Sequence, residues 1–169
     1  MNEVVAEYIE HGWKVVPIPT GTKGPRAPGW NTRHGALTSA PALPPNHGVG
    51  LMHAYSGTMA LDIDDWDKTL QYGIYLDMLY AAPDAVTILS GKPGRGKLLY
   101  KMPFGLTLPS KQFKVGATVA FELRCSTMEG RTAQDLLPPS IHPEMAHPYV
   151  WGGAGHWSRL PVVPQFILD

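Results

Sequence analysis

Two aspartates separated by a single residue, Asp62 and Asp64, follow the apolar run that ends at Leu61 and could bind a metal ion. Side chains alternate along a strand, so Leu61 and Ile63 can point into a core while both carboxylates point into a cleft. Two carboxylates on the same side of a strand carry like charges and repel each other. A divalent cation between them removes the repulsion. Hard oxygen ligands of this kind suit Mg²⁺ or Mn²⁺. The alternative is that these acids only decorate the start of a following helix, where carboxylates favour the helix dipole.

A second apolar strand, Val119–Arg124, repeats this arrangement. Its pattern buries Phe121 and Leu123 and places Glu122 and Arg124 together on the other face. If the two strands are neighbours, three carboxylates converge, and Arg124 either neutralises one of them or binds a phosphate. The alternative is a salt bridge on the surface that takes no part in chemistry.

A turn rich in glycine and basic residues, from Ser90 to Lys97, could bind phosphate. Its three glycines allow backbone N–H groups to surround phosphate oxygens, while Arg95 and Lys97 add positive charge. The turn is not a Walker A loop, because the Gly-Lys-Ser/Thr ending is missing and a strand follows instead of a helix. An ordinary hairpin turn with basic side chains is the alternative.

The proline-rich segment Leu137–Pro143 presents Ser140 and His142 between rigid neighbours. Proline restricts the backbone, so these two side chains have little conformational entropy left to lose when a ligand binds. Both can donate a hydrogen bond to a phosphate or a sugar hydroxyl. A rigid connector with an incidental histidine is the alternative.

Basic and aromatic side chains outside these motifs could bind single-stranded nucleic acid by charge and base stacking. They fall in the loop Thr20–Pro45, which is dense in glycine and proline, and in the stretch Lys92–Lys114, which carries six basic residues and no acidic one. A solvated basic face, with an aromatic that merely anchors the loop, is the alternative. The predicted contacts are Lys23, Arg26, Trp30, Lys92, Lys101 and Lys111.

Composition limits the classes of protein to which the chain can belong. With 169 residues, of which 44% are hydrophobic, it can form one globular domain with a proper core. Fourteen basic and fourteen acidic residues balance, so any nucleic-acid contact must come from local clusters. A single cysteine, Cys125, excludes an internal disulfide and a multi-cysteine zinc site. No membrane span or signal peptide is visible, so we expect a soluble protein of the reducing cytoplasm.

Hydrophobic periodicity and turn residues predict alternating helices and strands around these motifs. We expect helices over residues 2–11 and 65–80, the second with Leu70, Ile74 and either Leu79 or Met78 pointing inward. A final strand near residues 149–151 and the beginning of a helix suggest the first domain of a longer polypeptide. The other predicted strands cover residues 13–18, 49–53, 59–64, 85–89, 97–102, 119–125 and 132–137.

The motifs, taken in this order over nearly the whole chain, resemble the primase/polymerase domain of the archaeo-eukaryotic primase superfamily. The branch that they resemble most is the N-terminal prim-pol domain of phage and plasmid replication proteins. The resemblance implies an α+β fold with an RRM-like catalytic sheet, flanking helices and a smaller α/β lobe around a shared active-site cleft. It also implies that residues 1–169 form a single catalytic domain of a longer replication protein.

The resemblance further implies template-directed nucleotidyl transfer from a dNTP or NTP, with two Mg²⁺ or Mn²⁺ ions held by Asp62, Asp64 and Glu122. The second motif of the family usually has a phosphate-binding histidine, and Lys97 stands near that position here. Expected partners are a single-stranded DNA template with its primer, and a helicase or accessory priming domain in the same polypeptide. The expected location is the cytoplasm of a bacterial or archaeal cell, with a phage gene as one source. The predicted nucleotide contacts are Ser90, Arg95, Lys97, Arg124, Ser140 and His142.

Two other classes of function remain open from the sequence. A non-catalytic module that binds single-stranded DNA or a replication origin would use the basic residues and keep the acids for structure. A Mg²⁺-dependent phosphatase of the Asp-x-Asp type would also place its aspartates after an apolar strand. That phosphatase family expects Thr or Val two positions after the second aspartate, and Trp66 stands there.

Overall fold

The computed structural model describes residues 1–168 and shows an α+β protein with two antiparallel sheets and few helices. The helices are α1 (Asn2–Glu10), α2 (His53–Ser56), α3 (Trp66–Leu70), α4 (Leu76–Ala81) and α5 (Gln165–Leu168). The strands are β1 (Val15–Pro19), β2 (His47–Met52), β3 (Thr58–Ile63), β4 (Thr87–Leu89), β5 (Gly96–Lys101), β6 (Lys111–Val115), β7 (Thr118–Arg124), β8 (Gln134–Leu136) and β9 (Val150–Gly152). Short 3₁₀ helices cover Arg33–Gly35, Ala40–Ala42 and Trp157–Arg159.

The larger sheet has six strands in the order β6-β7-β3-β5-β4-β9, and the smaller sheet has three in the order β1-β2-β8. Every pair of neighbouring strands within these sheets is antiparallel. The predicted α+β class is therefore confirmed, and the RRM-like character of the catalytic sheet stays a prediction. Strand β3 lies inside the larger sheet, between β5 and β7.

Two hydrophobic clusters cover the two faces of the larger sheet. Ala60 and Leu99 belong to the cluster that includes helix α1 and the smaller sheet, where Leu51 is fully buried. Leu61 and Leu98, the next residues along β3 and β5, belong to the cluster on the helical side. Each strand thus alternates between the two cores, as a period of two requires. Charged side chains on the Ala60 face can reach water only where the smaller sheet ends.

The prediction of one continuous helix over residues 65–80 is wrong. The structure has two shorter helices there, α3 and α4. Gly73 lies between them with φ +75°, a left-handed conformation that interrupts helical hydrogen bonding. The break changes which side chains face inward: Ile74 is buried and Leu79 packs against the core as predicted, but Leu70 is 49% exposed.

Other predicted elements agree with the structure to within two or three residues at their ends. The segment 20–45 is irregular apart from two 3₁₀ helices, as expected. Strand β6 was not predicted, and α2 occupies part of a segment for which a strand end and a turn were expected. Cys125, directly after β7, is buried and donates its backbone N–H to Ser110 Oγ at 2.9 Å. Among the described residues, no helix is long and apolar enough to cross a membrane.

Candidate active site

Asp62 lies at the centre of a row of charged residues that crosses three strands of the larger sheet. It pairs with Glu122 of β7 on one side and with Lys97 of β5 on the other. Residues directly opposite each other in antiparallel strands point to the same face, so the three side chains stand side by side. Arg124, two residues after Glu122, shares this face. The strand neighbourhood on which the sequence argument depended is therefore present.

Asp64 lies just past the end of β3, where a backbone hydrogen bond fixes it. The N–H groups of Asp64 and Asp65 both donate to the carbonyl of Ala120 at 3.0 Å. The Asp65 carboxylate then accepts the N–H of Lys68 at 3.0 Å and caps helix α3. The helix-start role considered for the whole acidic cluster is thus filled by Asp65, which leaves Asp62 and Asp64 free of it.

Asp135 of strand β8 joins the smaller sheet to this charged row. Its Oδ1 accepts a hydrogen bond from Lys97 Nζ at 2.5 Å, and its Oδ2 accepts one from Arg124 Nε at 3.1 Å. Only 3% of the Asp135 side chain is exposed. Burial favours the protonated acid, but Arg124 and Lys97 outweigh it and hold the pKa of Asp135 well below its ordinary value. Asp135 is therefore an ionised anchor for two cations.

The two cations are held in different ways. Arg124 donates to Glu122 Oε1 at 3.3 Å and to the carbonyl of Gln134 at 2.7 Å, so with the bond to Asp135 each of its three nitrogens makes one hydrogen bond. The Asp135 carboxylate is the main cause that raises the pKa of Arg124. Lys97 has one ion pair, and its Nζ keeps two hydrogens for another acceptor. Burial opposes its charged form, but Asp135 and Asp62 raise its pKa.

His53, at the start of α2, supports Asp135 from behind. Its Nε2 lies 2.8 Å from Asp135 Oδ2, and its Nδ1 lies 2.9 Å from Thr58 Oγ1. The ring is fully buried, and burial lowers its pKa although the Asp135 carboxylate works in the opposite direction. A neutral ring that donates from Nε2 to the carboxylate, and accepts from the threonine hydroxyl, satisfies all of these contacts.

The two aspartates predicted to bind metal are short of positive charge. Within residues 1–168 neither Asp62 nor Asp64 forms a side-chain hydrogen bond or an ion pair. Burial is the main cause that raises the pKa of Asp62 to about 6, and Asp135 and Asp64 add to it, against Lys97 and Arg124. Four carboxylates, with Glu122 and Asp135 included, thus face two fixed cations, an excess of two negative charges.

This shortage fits a divalent cation held by two carboxylate ligands. Glu122 is less well placed to join them, because Arg124 occupies one of its oxygens. Among residues 1–168 no group of three His, Cys, Asp or Glu side chains is arranged to hold a metal ion. The residues therefore fit an ion at Asp62 and Asp64, and the third ligand stays a prediction.

The charged row opens into a cavity of about 250 Å³ between the two sheets. The turn after β4 forms one wall, on which Lys92 binds Glu144 and Arg95 is exposed. The loop before β2 reaches the same cavity through Lys23, whose Nζ lies 3.6 Å from Glu144 Oε1. Gln134 ties that loop in place by donating from Nε2 to the Lys23 carbonyl at 2.9 Å. Positively charged side chains from three separate segments of the chain thus surround this cavity.

His142 lines the cavity beside Tyr149, with their ring centroids 5.2 Å apart. Its Nδ1 accepts the backbone N–H groups of Glu144 and Met145, each at 3.0 Å. Burial lowers the pKa of His142, and the nearby Lys23 and Lys92 lower it further. The neutral ring must therefore carry its proton on Nε2, which makes that atom a hydrogen-bond donor.

Most of the predicted site residues are brought to this cavity, but some lie elsewhere. Ser140 is buried outside it and bonds to Val49, accepting its N–H at 3.0 Å. A β-carbon at Gly48 would lie 2.7 Å from Ser140 Oγ, so the serine packs closely against β2. Glu122 stands in the charged row behind the cavity. The cavity-lining residues among the predictions are Lys23, Asp62, Asp64, Ser90, Lys92, Arg95, Lys97, Arg124 and His142.

The remaining predicted DNA contacts are spread over three other surfaces. Trp30 packs against the core that includes α1 and, with Arg26, lines a separate depression. Lys111 lies on the helical side of the larger sheet, with its Nζ 4.9 Å from the centroid of the Phe113 ring. Lys101 lines a groove at the far end of β5. A run of basic residues in sequence is therefore not one basic surface.

The sequence matches a known family over almost the whole chain. Residues 5–165 match the family described as the bifunctional DNA primase/polymerase, N-terminal. The chain belongs to this family. Membership assigns it a primase/polymerase role, with DNA and nucleotides as partners. No curated protein matches the sequence.

Sequence reasoning missed two residues that organise the charged row, Asp135 and His53. Each had a signal in the sequence. Asp135 is an acid inside the predicted strand 132–137, directly before the proline-rich segment, where an unpaired carboxylate would be costly. His53 directly follows the apolar strand β2, at a position where a core residue would be expected. Neither signal named a partner, because Asp135 meets Lys97 and Arg124 of the other sheet and His53 meets Asp135 from 82 residues away along the chain.

Proposed function

We propose that this domain catalyses template-directed nucleotidyl transfer, with the nucleoside triphosphate bound in the cavity between the sheets. The observation that carries the proposal is the position of Asp62, which stands between Glu122 and Lys97 and next to Asp64 at a cavity surrounded by cations. Within a primase/polymerase family, paired carboxylates facing basic residues support a site that holds metal and triphosphate together.

Asp62 and Asp64 would hold Mg²⁺ or Mn²⁺, and Glu122 would complete the carboxylate set for a second ion. When bound, such ions stabilise the attacking and leaving oxygens of a phosphoryl transfer. The chain's own contribution is to hold the two aspartates at the end of one rigid strand. Their excess negative charge makes the pair a strong site for divalent cations and a poor one for a bare triphosphate.

Lys97 would contact the phosphates of the incoming nucleotide. Asp135 holds its Nζ by one hydrogen bond and so directs the remaining hydrogens, at little cost in entropy when the ligand binds. Arg124 would act mainly through Asp135 and Glu122, because each of its three nitrogens already donates one hydrogen bond within the protein. The exposed Arg95 and Lys92 would add charge at the entrance.

His142 would donate from Nε2 to a phosphate or sugar oxygen. Its ring is oriented by two backbone N–H groups, so the direction of this donor is fixed before a ligand arrives. Ser140 would support this segment through its bonds to Val49 and would not touch the nucleotide. These roles divide the proline-rich segment into one residue for binding and one for structure.

The test is incorporation of labelled dNTPs or NTPs on a primed single-stranded template with Mg²⁺ or Mn²⁺. The Asp62→Asn and Asp64→Asn variants should lose incorporation, whereas Asp67→Asn, which changes an exposed acid of the same cluster, should retain it. If the wild type incorporates nothing under any combination of metal and nucleotide, catalysis by this domain is rejected.

Two outcomes would favour the other functions considered from the sequence. Tight binding of single-stranded DNA without any incorporation would support the non-catalytic module. A covalent phosphate on Asp62 after incubation with a phosphomonoester would support the phosphatase. Family membership favours neither outcome.

A further inference from the structure

A groove of about 680 Å³ lies at the opposite end of β5 from the catalytic cavity. Lys97 and Lys101 point to the same face of the strand, because they are separated by an even number of residues. Leu99 between them is buried under the smaller sheet, so the groove and the cavity are separate openings on one face. Four residues of strand place them about 13 Å apart along β5.

Three side chains that stay positively charged line this groove, and none of them is neutralised by an ion pair among residues 1–168. Arg33, Lys101 and Arg159 are exposed, and within the described part of the chain none of them forms an ion pair. No acidic side chain between residues 1 and 168 lines the groove. The Arg33 guanidinium stacks over the Tyr55 ring at 4.7 Å, which fixes its position. The groove is therefore organised for a ligand that brings several negative charges.

The rim of the groove carries a fully exposed aromatic ring. Phe104 has a relative exposure of 106%. It lies in a hydrogen-bonded turn, in which Leu106 N–H donates to the Pro103 carbonyl at 3.0 Å and Gly105 takes φ +76°. A rigid turn that presents an aromatic side chain to solvent loses hydrophobic stabilisation in the free protein, and it offers a flat surface for stacking.

The backbone around the groove is tied down on both sides. Lys101 donates its N–H to the Pro161 carbonyl at 2.8 Å and accepts the N–H of Val163 at 3.0 Å. Met102 donates its N–H to the Gly57 carbonyl at 2.9 Å. The backbone of Lys101 and Met102, next to the turn that carries Phe104, is thus held in place before a ligand binds.

We propose that this groove binds single-stranded DNA, with the phosphate backbone along Arg33, Lys101 and Arg159 and an unpaired base stacked on Phe104. Charge along a track and one aromatic platform are the combination that binds single strands without reading their sequence. The identity of the polymer as DNA rests on the proposed function, whereas the charge and the exposed ring do not. The groove would hold the strand at a distance from the nucleotide and so keep the template on the domain.

The test measures the affinity of the intact domain for a fluorescent single-stranded oligodeoxynucleotide by anisotropy. Phe104→Ala should weaken binding at least about fivefold, the loss of one stacked base. The double variant Arg33→Ala/Lys101→Ala should flatten the dependence of log affinity on log salt by about 1.4, since each phosphate contact on a single strand contributes about 0.7. Matched controls are Met128→Ala, which removes another exposed apolar side chain, and Lys114→Ala, which removes another exposed strand lysine.

Duplex DNA gives a second comparison. Its bases are stacked inside the helix and cannot reach the ring, so Phe104→Ala should leave duplex affinity unchanged while the cation variant lowers it. The proposal that the groove binds DNA is rejected if both groove variants bind the single strand like the wild type. It is also rejected if the control variants weaken binding as much as the groove variants do. It is also rejected if the wild type does not bind single strands.

Failure of the groove and failure of the proposed function give different results. Asp62→Asn should abolish incorporation and leave single-strand affinity intact. Groove variants should raise the template concentration needed for half-maximal incorporation, with the rate at saturating template preserved. If the wild type binds single strands through Phe104 but incorporates no nucleotide, the proposed DNA-binding groove is supported and the catalytic proposal is rejected.

Discussion

The two ends of strand β5 carry the same type of side chain in opposite circumstances. Lys97 is mostly buried and hydrogen-bonded to Asp135 at 2.5 Å, whereas Lys101 is exposed and has no ion pair within residues 1–168. The first cation has one position, which suits a group that must meet a reacting phosphate. The second can follow a flexible, charged polymer. One strand thus joins a site organised for chemistry to a surface suited to adaptable binding.

The largest effect should come from the carboxylate beside Lys97. Asp62→Asn removes one of the two carboxylates proposed to hold the metal ion and should lower the rate of incorporation at least about a thousandfold, the equivalent of several kcal/mol of transition-state stabilisation. Steady-state incorporation measures the loss, and single-strand anisotropy should not change. If Asp62→Asn lowers the incorporation rate and the DNA affinity equally, the two ends of β5 act as one functional unit. The distinction between a catalytic end and a DNA-binding end would then be wrong.

Asp135→Asn should give the next largest effect, because it removes the charge that holds Lys97 and Arg124. We expect incorporation to fall about 10- to 100-fold, as for other residues that orient ligands. The cations would also lose their buried counter-charge, which should lower the free energy of unfolding by about 3 kcal/mol. Kinetics and urea unfolding at the same temperature separate the two losses. A variant that unfolds earlier but retains full activity would show that Asp135 serves structure alone.

Lys97→Gln tests the fixed cation directly. It should raise the KM for the nucleotide about tenfold, since one charge-assisted hydrogen bond to phosphate is lost. Lys101→Gln is the matched change at the other end of the strand and should leave that KM unaltered. If both variants raise the KM for the nucleotide equally, the position of the lysine along β5 does not matter. Positive charge anywhere near the site would then be sufficient to bind the nucleotide.

The smallest effect concerns His53 and the dependence of stability on pH. Because the pKa of His53 is lowered in the folded protein, the unfolded chain binds a proton near pH 6.5 that the folded chain does not. Its contribution to stability is therefore complete above pH 6.5 and is lost as the pH falls toward the lower, folded-state pKa. His53→Gln should reduce this slope by up to about 1.4 kcal/mol per pH unit.

Denaturant unfolding of the two proteins between pH 7.5 and 5.5 measures the change. The raised pKa of Asp62 acts in the opposite direction, with stability lost as the pH rises toward 6, but it is common to both proteins and cancels. His142→Gln measures the contribution of the other histidine with a lowered pKa. An unchanged slope in His53→Gln would mean that the ring is charged in the folded state.

The parts of the site that could be predicted are those in which sequence spacing fixes geometry. Asp62 and Glu122 could each be placed on the face opposite the apolar core because each stands between two apolar residues of its strand. Lys97 could be assigned because it ends a glycine-rich turn. Each of these arguments uses a local pattern and a single assumption, that the strands are neighbours, which the pairing of β3 with β5 and β7 bears out.

The parts that could not be predicted depend on contacts between distant segments. Asp135 reaches Lys97 only because β8 belongs to the smaller sheet and that sheet packs on the larger one. Lys101 and Lys111 are near in sequence, but β3 and β7 separate their strands, so they reach different surfaces. The helix break at Gly73 also escaped prediction, since the hydrophobic period continues through it.

The ion pair between Lys97 and Asp135 has a consequence for how this site can change. The two residues come from different sheets, yet Asp135 supplies the one ion pair that Lys97 forms among residues 1–168 and shares its own charge with Arg124. A histidine at position 97, which is largely neutral near pH 7, would leave the buried Asp135 with Arg124 as its remaining full positive charge. A loss at one position therefore favours a compensating loss at the other, such as Asp135→Asn. Substitutions at positions 97 and 135 should be tolerated as a pair more readily than singly.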